Sequence, residues 1–314
     1  MTFLRVPNNV RGMLKLFFLI VGSLLQAGCP ENASSELEAY KLPYDLTQPD
    51  KTLELDLNLN EISGLSFAFG ESRLVAVNDE QGVVYLLDPE TGSQIMSLEF
   101  HSPGDYEGVE VVGDHAYVVK STGTIYALRN FATEGMEMTK YNDFLEKEND
   151  VEGLGYDAKS NQLLVACKGK AGDGPEFAAK RAIYAFDLET NTFDTLPKYL
   201  ISLEDVRKYL DQNTTLQAWE QLSEFFDPAA EDLTFAPSAL AIHPISGDIY
   251  LLSSVGKLLL VLNQEGQIVY LEKLKKSVHR QPEGICFAAD GTLYISNEAK
   301  GTVPLIHRFA YKSN

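Results

Sequence analysis

The chain has 314 residues, enough for one large or two small domains, with 45 Asp+Glu against 26 Lys+Arg and a formal net charge of −19. A field of that sign repels nucleic acid and anionic lipid and attracts cations, so no nucleic-acid partner is expected. Its three cysteines show no CxxC or Cys/His spacing, which excludes a structural zinc of the usual kind.

The N-terminal segment has the order of an export signal. Arg5, Arg11 and Lys15 precede the apolar run Leu16 to Leu25, and then comes Gln26-Ala-Gly-Cys29. A basic region followed by an apolar run of this length reads as a secretory signal, too short to span a bilayer. Small residues directly before a cysteine resemble a bacterial lipobox, in which residues 1–28 are removed and Cys29 is lipidated. Gln26 stands where an aliphatic residue is usual, and two alternatives stay open: ordinary cleavage near Ala27, and initiation at Met13. The protein is thus expected to be exported to the cell envelope, facing the periplasm or the cell surface, with its lipid anchor as its sole membrane contact. Residues 29–50, polar, acidic and proline-bearing, read as a flexible tether, which leaves 51–314 as the folded domain.

The rest of the chain repeats one unit. Glu61-Ile-Ser-Gly64 runs into Arg73–Asn78 and Val83–Asp88, and Tyr106-Glu-Gly-Val109 into Ala116–Lys120 and a strand from Thr124. Val151-Glu-Gly-Leu154 runs into Gln162–Cys167 and Ala182–Asp187. Ser238-Ala-Leu-Ala241 is followed by Asp248–Ser253 and Leu258–Asn263, and Pro282-Glu-Gly-Ile285 by Thr292–Asn297 and Leu305–Phe309. Apolar alternation broken by glycine turns predicts β-hairpin meanders. Five copies, mostly spaced by roughly 45 residues, predict a radial repeat, a five-bladed all-β propeller. A six-bladed ring is the alternative, if the third unit and its insertion hide a degenerate blade.

The last unit stops after three strands, and Leu53 to Leu59, alternating with period two, supplies the missing fourth and closes the ring. Between the third and fourth units, 202–226 breaks the rhythm. Ser202 and Asp205 form a helix start signal, Val206, Tyr209 and Leu210 share one helical face, and Leu216, Trp219, Leu222 and Phe226 recur at helical spacing. Packing against the ring is the reading preferred to a lid over a pocket. Cys167 and Cys286 fall in strands of different units and read as free buried thiols.

In such a ring the first strand of each blade lines the channel, so Glu61, Glu107, Glu152, Ser238 and Glu283 converge on one mouth. Four carboxylates on one axis cannot all stay ionised and unpaired. A hard divalent cation with oxygen ligands relieves them, and calcium tolerates irregular geometry better than magnesium. The second strands return to the same mouth with Asn78 and Asn297, which add carbonyl oxygens; Asp79 and Glu298 are adjacent. The alternative is charge neutralisation by Lys120 and Lys168.

The phrases Asp105-Tyr-Glu-Gly-Val109, Asp150-Val-Glu-Gly-Leu154 and Gln281-Pro-Glu-Gly-Ile285, with the Glu61-Ile-Ser-Gly64 opening, carry a resemblance. Over residues 50–311 the chain resembles the SdiA-regulated family of bacterial propeller proteins, and more distantly the NHL-repeat style. The resemblance implies five blades, a bound calcium ion and no established activity. Glu107, Glu152 and Glu283 match the motif; Glu61 matches less closely, and Ser238 departs from it. The function this supports is a calcium-dependent binding or scaffold module for a small ligand or protein partner, acting as a monomer. The alternative is a calcium-dependent hydrolase of the lactonase or phosphoesterase type. The five histidines do not recur with the glutamates, and no nucleophile motif appears.

Overall fold

The period-two runs pair as antiparallel hairpins, and in the computed structural model, which describes residues 40–313, they form five separate sheets. Blade 1 consists of β2 (Ile62–Ala68), β3 (Arg73–Asn78), β4 (Val83–Leu87) and β5 (Gln94–Glu99). Blade 2 holds β6 (Tyr106–Val112), β7 (His115–Lys120), β8 (Ile125–Arg129) and β9 (Glu137–Tyr141). Blade 3 holds β10 (Val151–Asp157), β11 (Gln162–Cys167) and β12 (Lys180–Asp187), edged by two short strands, β13 (Thr192–Phe193) and β14 (Tyr199–Ser202). Helices α1 (Leu203–Gln212) and α2 (Trp219–Phe225) follow. Blade 4 is β15 (Ala239–Ile242), β16 (Ile249–Ser253), β17 (Leu258–Leu262) and β18 (Ile268–Lys273). Blade 5 takes β19 (Pro282–Phe287), β20 (Leu293–Asn297) and β21 (Leu305–Phe309), completed by β1 (Lys51–Glu54). The third unit hides no sixth blade.

Inner strands β2, β6, β10, β15 and β19 each contact the next, and β19 returns to β2, so the ring is closed. The core is divided into five clusters, one at each junction between blades. In β7, Ala116 and Val118 pack toward blade 1 while Tyr117 and Val119 pack toward blade 3. Both faces of the central strands are therefore buried, which is why they read as nearly unbroken apolar runs.

The closing strand is shorter than its alternation predicts. β1 pairs with β21 from Lys51↔Arg308 to Glu54↔Leu305, and the chain then turns in a 3-10 turn at Leu57–Leu59. The turn exposes Leu57, breaking the period, and buries Leu59 completely at the entry to blade 1. The expected tether is also corrected: from Tyr40 onward it is docked. The Tyr44 hydroxyl donates to the Gly291 carbonyl at 2.6 Å, and Tyr44 and Leu46 are buried in the blade 4–5 core. The part of the tether before residue 40, the signal segment and Cys29 lie outside the described residues.

The helical insertion is a packing element. Ser202 and Asp205 make a reciprocal capping box, and Val206, Leu210, Leu222 and Phe226 are fully buried in the largest core cluster, between blades 3 and 4. Trp219 donates its indole N–H to the Leu210 carbonyl at 3.0 Å, locking the two helices. Both thiols are free and buried.

Candidate functional site

The Glu-Gly phrases fold as β-bulges. Tyr106 pairs with Lys120 and Gly108 with Val119, so Glu107 is an extra residue. Glu152 and Glu283 occupy the same slip in β10 and β19. The bulge lets Tyr106 and Val109, three apart, both enter the blade 1–2 core; Val151 and Leu154, and Ile62 and Leu65, do likewise at their junctions. The glycine that follows is required by close approach between inner strands: a Cβ on Gly284 would lie 2.4 Å from the Ser63 carbonyl. Sequence and local structure together thus present a glutamate at the mouth of the channel in three blades.

Backbone bonds correct the expected phase of the first blade. The N–H groups of Asp79, Ser121, Lys168 and Glu298 donate to the carbonyls of Glu61, Asp105, Asp150 and Gln281. Glu61 therefore corresponds to Asp105, Asp150 and Gln281, and the bulge position belongs to Ser63. In blade 4 that position is Ser238, whose hydroxyl donates to the Pro282 carbonyl at 2.9 Å. The innermost ring is Ser63, Glu107, Glu152, Ser238 and Glu283: three carboxyls and two hydroxyls.

Burial raises each of the three carboxyls. Glu107 is pushed up to about 10, by burial first and then by Glu152 and Asp105, and receives one long hydrogen bond, 3.3 Å from Ser63 Oγ. Burial takes Glu152 to about 8 against the pull of Lys168, with which it is ion-paired. Burial opposes the charge on Lys168, and the Glu152 carboxylate overrides it, raising that ammonium. Burial and then Glu298 bring Glu283 to about 7, while Gln281 donates to it at 2.5 Å. Burial and neighbouring carboxyls thus disfavour the charged form of all three.

Above this ring, Glu61, Asp79 and Glu298 place carboxylate oxygens within 4.8 Å of one another. Burial, then Glu61 and Glu298, raise Asp79 to about 6, and its Oδ1 is buried with no hydrogen-bond partner. Lys300 caps the cluster from the rim, 2.5 Å from Glu298 and 3.9 Å from Glu61.

Of the residues expected as ligands, Glu61, Glu107, Glu152 and Glu283 reach this mouth. Asn78 is committed to the loop instead: it donates to the Asn58 carbonyl and accepts from the Gln81 N–H, each at 2.9 Å. Asn297 is buried, with Oδ1 3.4 Å from the Gln281 N–H and an Nδ2 that has no partner. Lys168 does neutralise a glutamate; Lys120 lies over the Tyr106 ring. The ligand set drawn from sequence omitted Asp79 and Glu298. Their signal was the acidic residue directly after Asn78 and Asn297, at one shared position in blades 1 and 5.

The histidines are engaged elsewhere. His279 is fully buried with Nε2 against the Leu46 carbonyl, and His307 bridges Thr52 and the Val278 carbonyl. His243 shares a hydrogen bond with the Tyr44 hydroxyl, His101 with that of Tyr106, and His115 pairs with Asp114. The mouth is an oxygen-only, acidic cluster whose basic groups are lysines.

The sequence profile of the SdiA-regulated family matches residues 37–171 and 197–300. The gap spans the rest of the glycine-rich loop after β11, with β12 and β13. No curated protein matches the chain. Among solved structures it is similar to the glutaminyl cyclase of Myxococcus xanthus, at 14% identity and TM-score 0.53, with 84% of this chain and 96% of that one covered. It is also similar to a luciferin-regenerating enzyme, at 10% identity and TM-score 0.47 over 84% of this chain and 95% of that one. A streptogramin B lyase aligns at 12% identity and TM-score 0.43, over 84% and 73%. At such identities the glutaminyl cyclase likeness shows the propeller fold alone. With five blades in a closed ring and a profile match over most of its length, this chain belongs to the SdiA-regulated family.

Proposed function

We propose that the acidic mouth binds a calcium ion and that the protein is an exported, lipid-anchored propeller that binds or scaffolds a partner through that mouth. The observation that carries this reading is the Glu61–Asp79–Glu298 cluster, with a buried Asp79 oxygen that nothing satisfies. The donors are all oxygens, the chemistry of a hard cation, and their irregular placement on three separate turns suits calcium over magnesium. Glu61, Asp79 and Glu298 would hold the ion; bound there, it supplies positive charge to the raised carboxyls of Glu283 and Glu107 beneath. Anchorage rests on the basic and apolar N-terminal run and on Cys29.

The test is metal analysis and thermal unfolding of the purified protein before and after chelation. One calcium per chain, with a melting temperature that falls on chelation and returns with calcium, supports the site. Absence of metal together with an unchanged melting temperature overturns it. The hydrolase alternative draws on Glu283, whose value of about 7 suits a general base. It requires calcium-dependent turnover of a lactone or phosphate ester that Glu283→Gln abolishes.

A further inference from the structure

The opposite end of the channel holds a cavity of about 400 Å³, lined by residues of all five inner strands. Its walls are mixed, polar groups alternating with the carbon surfaces of Phe67, Tyr156, Ile242 and Phe287, and Glu110 and Glu71 are the only charged residues that line it. Glu71 sits at the rim and accepts the Ala289 N–H. Glu110 lies on the inner strand β6, where Oε1 accepts from Ser66 Oγ at 2.6 Å and from the Val111 N–H at 3.1 Å. Those donors hold the carboxylate in place without cancelling its charge. Burial raises Glu110 to about 7, against the pull of Ser66 and of the Val111 backbone.

A carboxylate fixed in a cavity with no lysine, arginine or histidine in its lining has no positive partner there. A bare calcium ion does not suit it, because calcium takes about six to eight oxygen ligands, whereas here Glu71 is held at the rim by the Ala289 N–H and Ser66 already donates to Glu110. An ammonium group carried on an apolar body meets both features: the cation pairs with Glu110, and the body covers the aromatic and aliphatic walls. The lack of a basic residue also selects against amino acids, whose own carboxylate would be buried unpaired.

We propose that this cavity is a binding site for a small organic amine without an acidic group, independent of the cation site at the other mouth. The test is calorimetric titration of the full-length protein with benzylamine, 2-phenylethylamine and cyclohexylamine. 2-Phenylethanol and phenylalanine serve as the uncharged and zwitterionic controls. Saturable binding of an amine, with both controls at least about tenfold weaker, is the expected result. Glu110→Gln should lower that affinity at least about tenfold while leaving calcium uptake unchanged. Ala241→Leu, which fills the cavity without altering its charge, provides a second variant should Glu110→Gln fail to fold. Failure of all three amines, binding of the alcohol as tight as that of the amine, or full affinity in a folded variant overturns the proposal.

Discussion

At the end of the channel where the inner strands begin, four of the five are bulged, and Glu107, Glu152 and Glu283 project from three of the extra residues, with Ser63 at the fourth. At the end where they finish, Ser66, Glu110 and Cys286 lie in unbroken register with the second strands. The same ring therefore gathers carboxyls at one mouth and leaves Glu110 alone among the inner strands at the other. The bulge explains the difference: it re-phases each strand so that the apolar faces stay in the core while an acidic residue is released to the axis. A regular ladder has no residue to spare.

The strongest way to break that contrast is to remove the space the bulges need. Gly284→Ala places a Cβ 2.4 Å from both the Ser63 carbonyl and Ser296 Oγ. It should cost about 2–3 kcal/mol in urea unfolding. Ala239→Gly, at the corresponding position of blade 4, should cost no more than about 1 kcal/mol. Equal effects would mean that the inner strands do not constrain this mouth.

Glu107→Gln separates stability from ion binding. Glu107 is raised to about 10, so folding holds its carboxyl neutral at about pH 8, where the unfolded chain ionises it. The amide should stabilise the calcium-free protein by about 1 kcal/mol or more and, because Glu107 lies beneath the Glu61–Asp79–Glu298 cluster, weaken calcium binding by no more than about fivefold. Loss of stability in the calcium-free protein would contradict this reading.

The pH dependence follows with the same sign. Glu107, Glu152 and Glu283 have folded-state values of about 10, 8 and 7, each above the ordinary carboxyl range. Their contribution is fully present below the unfolded value of about 4.3 and is lost as pH rises through about 7–10. The melting temperature of calcium-free protein should fall over that window, and saturating calcium should flatten the fall. A flat curve without calcium would show that these carboxyls are already compensated.

The smallest expected effect is at the rim. Lys300 competes with any cation for Glu298 and Glu61, but it is half exposed. Lys300→Met should tighten calcium binding by about two- to fivefold in a titration, as befits a solvent-screened pair.

The sequence made the blades legible because β7, β11, β16 and β20 are buried on both faces and end in polar turns. The insertion was legible because Ser202 and Asp205 cap a helix by local bonds alone. The bulge was not: nothing in Glu61-Ile-Ser-Gly64 says that Ser63, rather than Glu61, takes the glutamate position, since that depends on pairing with Asn78 and Ala76 across the hairpin. The docking of Tyr44 was equally hidden, because its partners, Gly291 and His243, lie about two hundred residues away. Glu110 carries no local signal: its place in the cavity depends on five strands closing around it.

The seam between β1 and β21 also sets the order in which the ring is made. Lys51 pairs with Arg308 and Glu54 with Leu305, so the first strand synthesised waits for the last. Pairing over such a sequence separation is slow, and until it occurs both β1 and β21 carry open edges. Blades 1 to 4 complete their sheets from contiguous segments of chain, whereas blade 5 depends on the two ends meeting. Ring closure thus awaits the last strand, and a chain cut short before Leu305 would leave β1 and β20 as open edges for a second copy of itself.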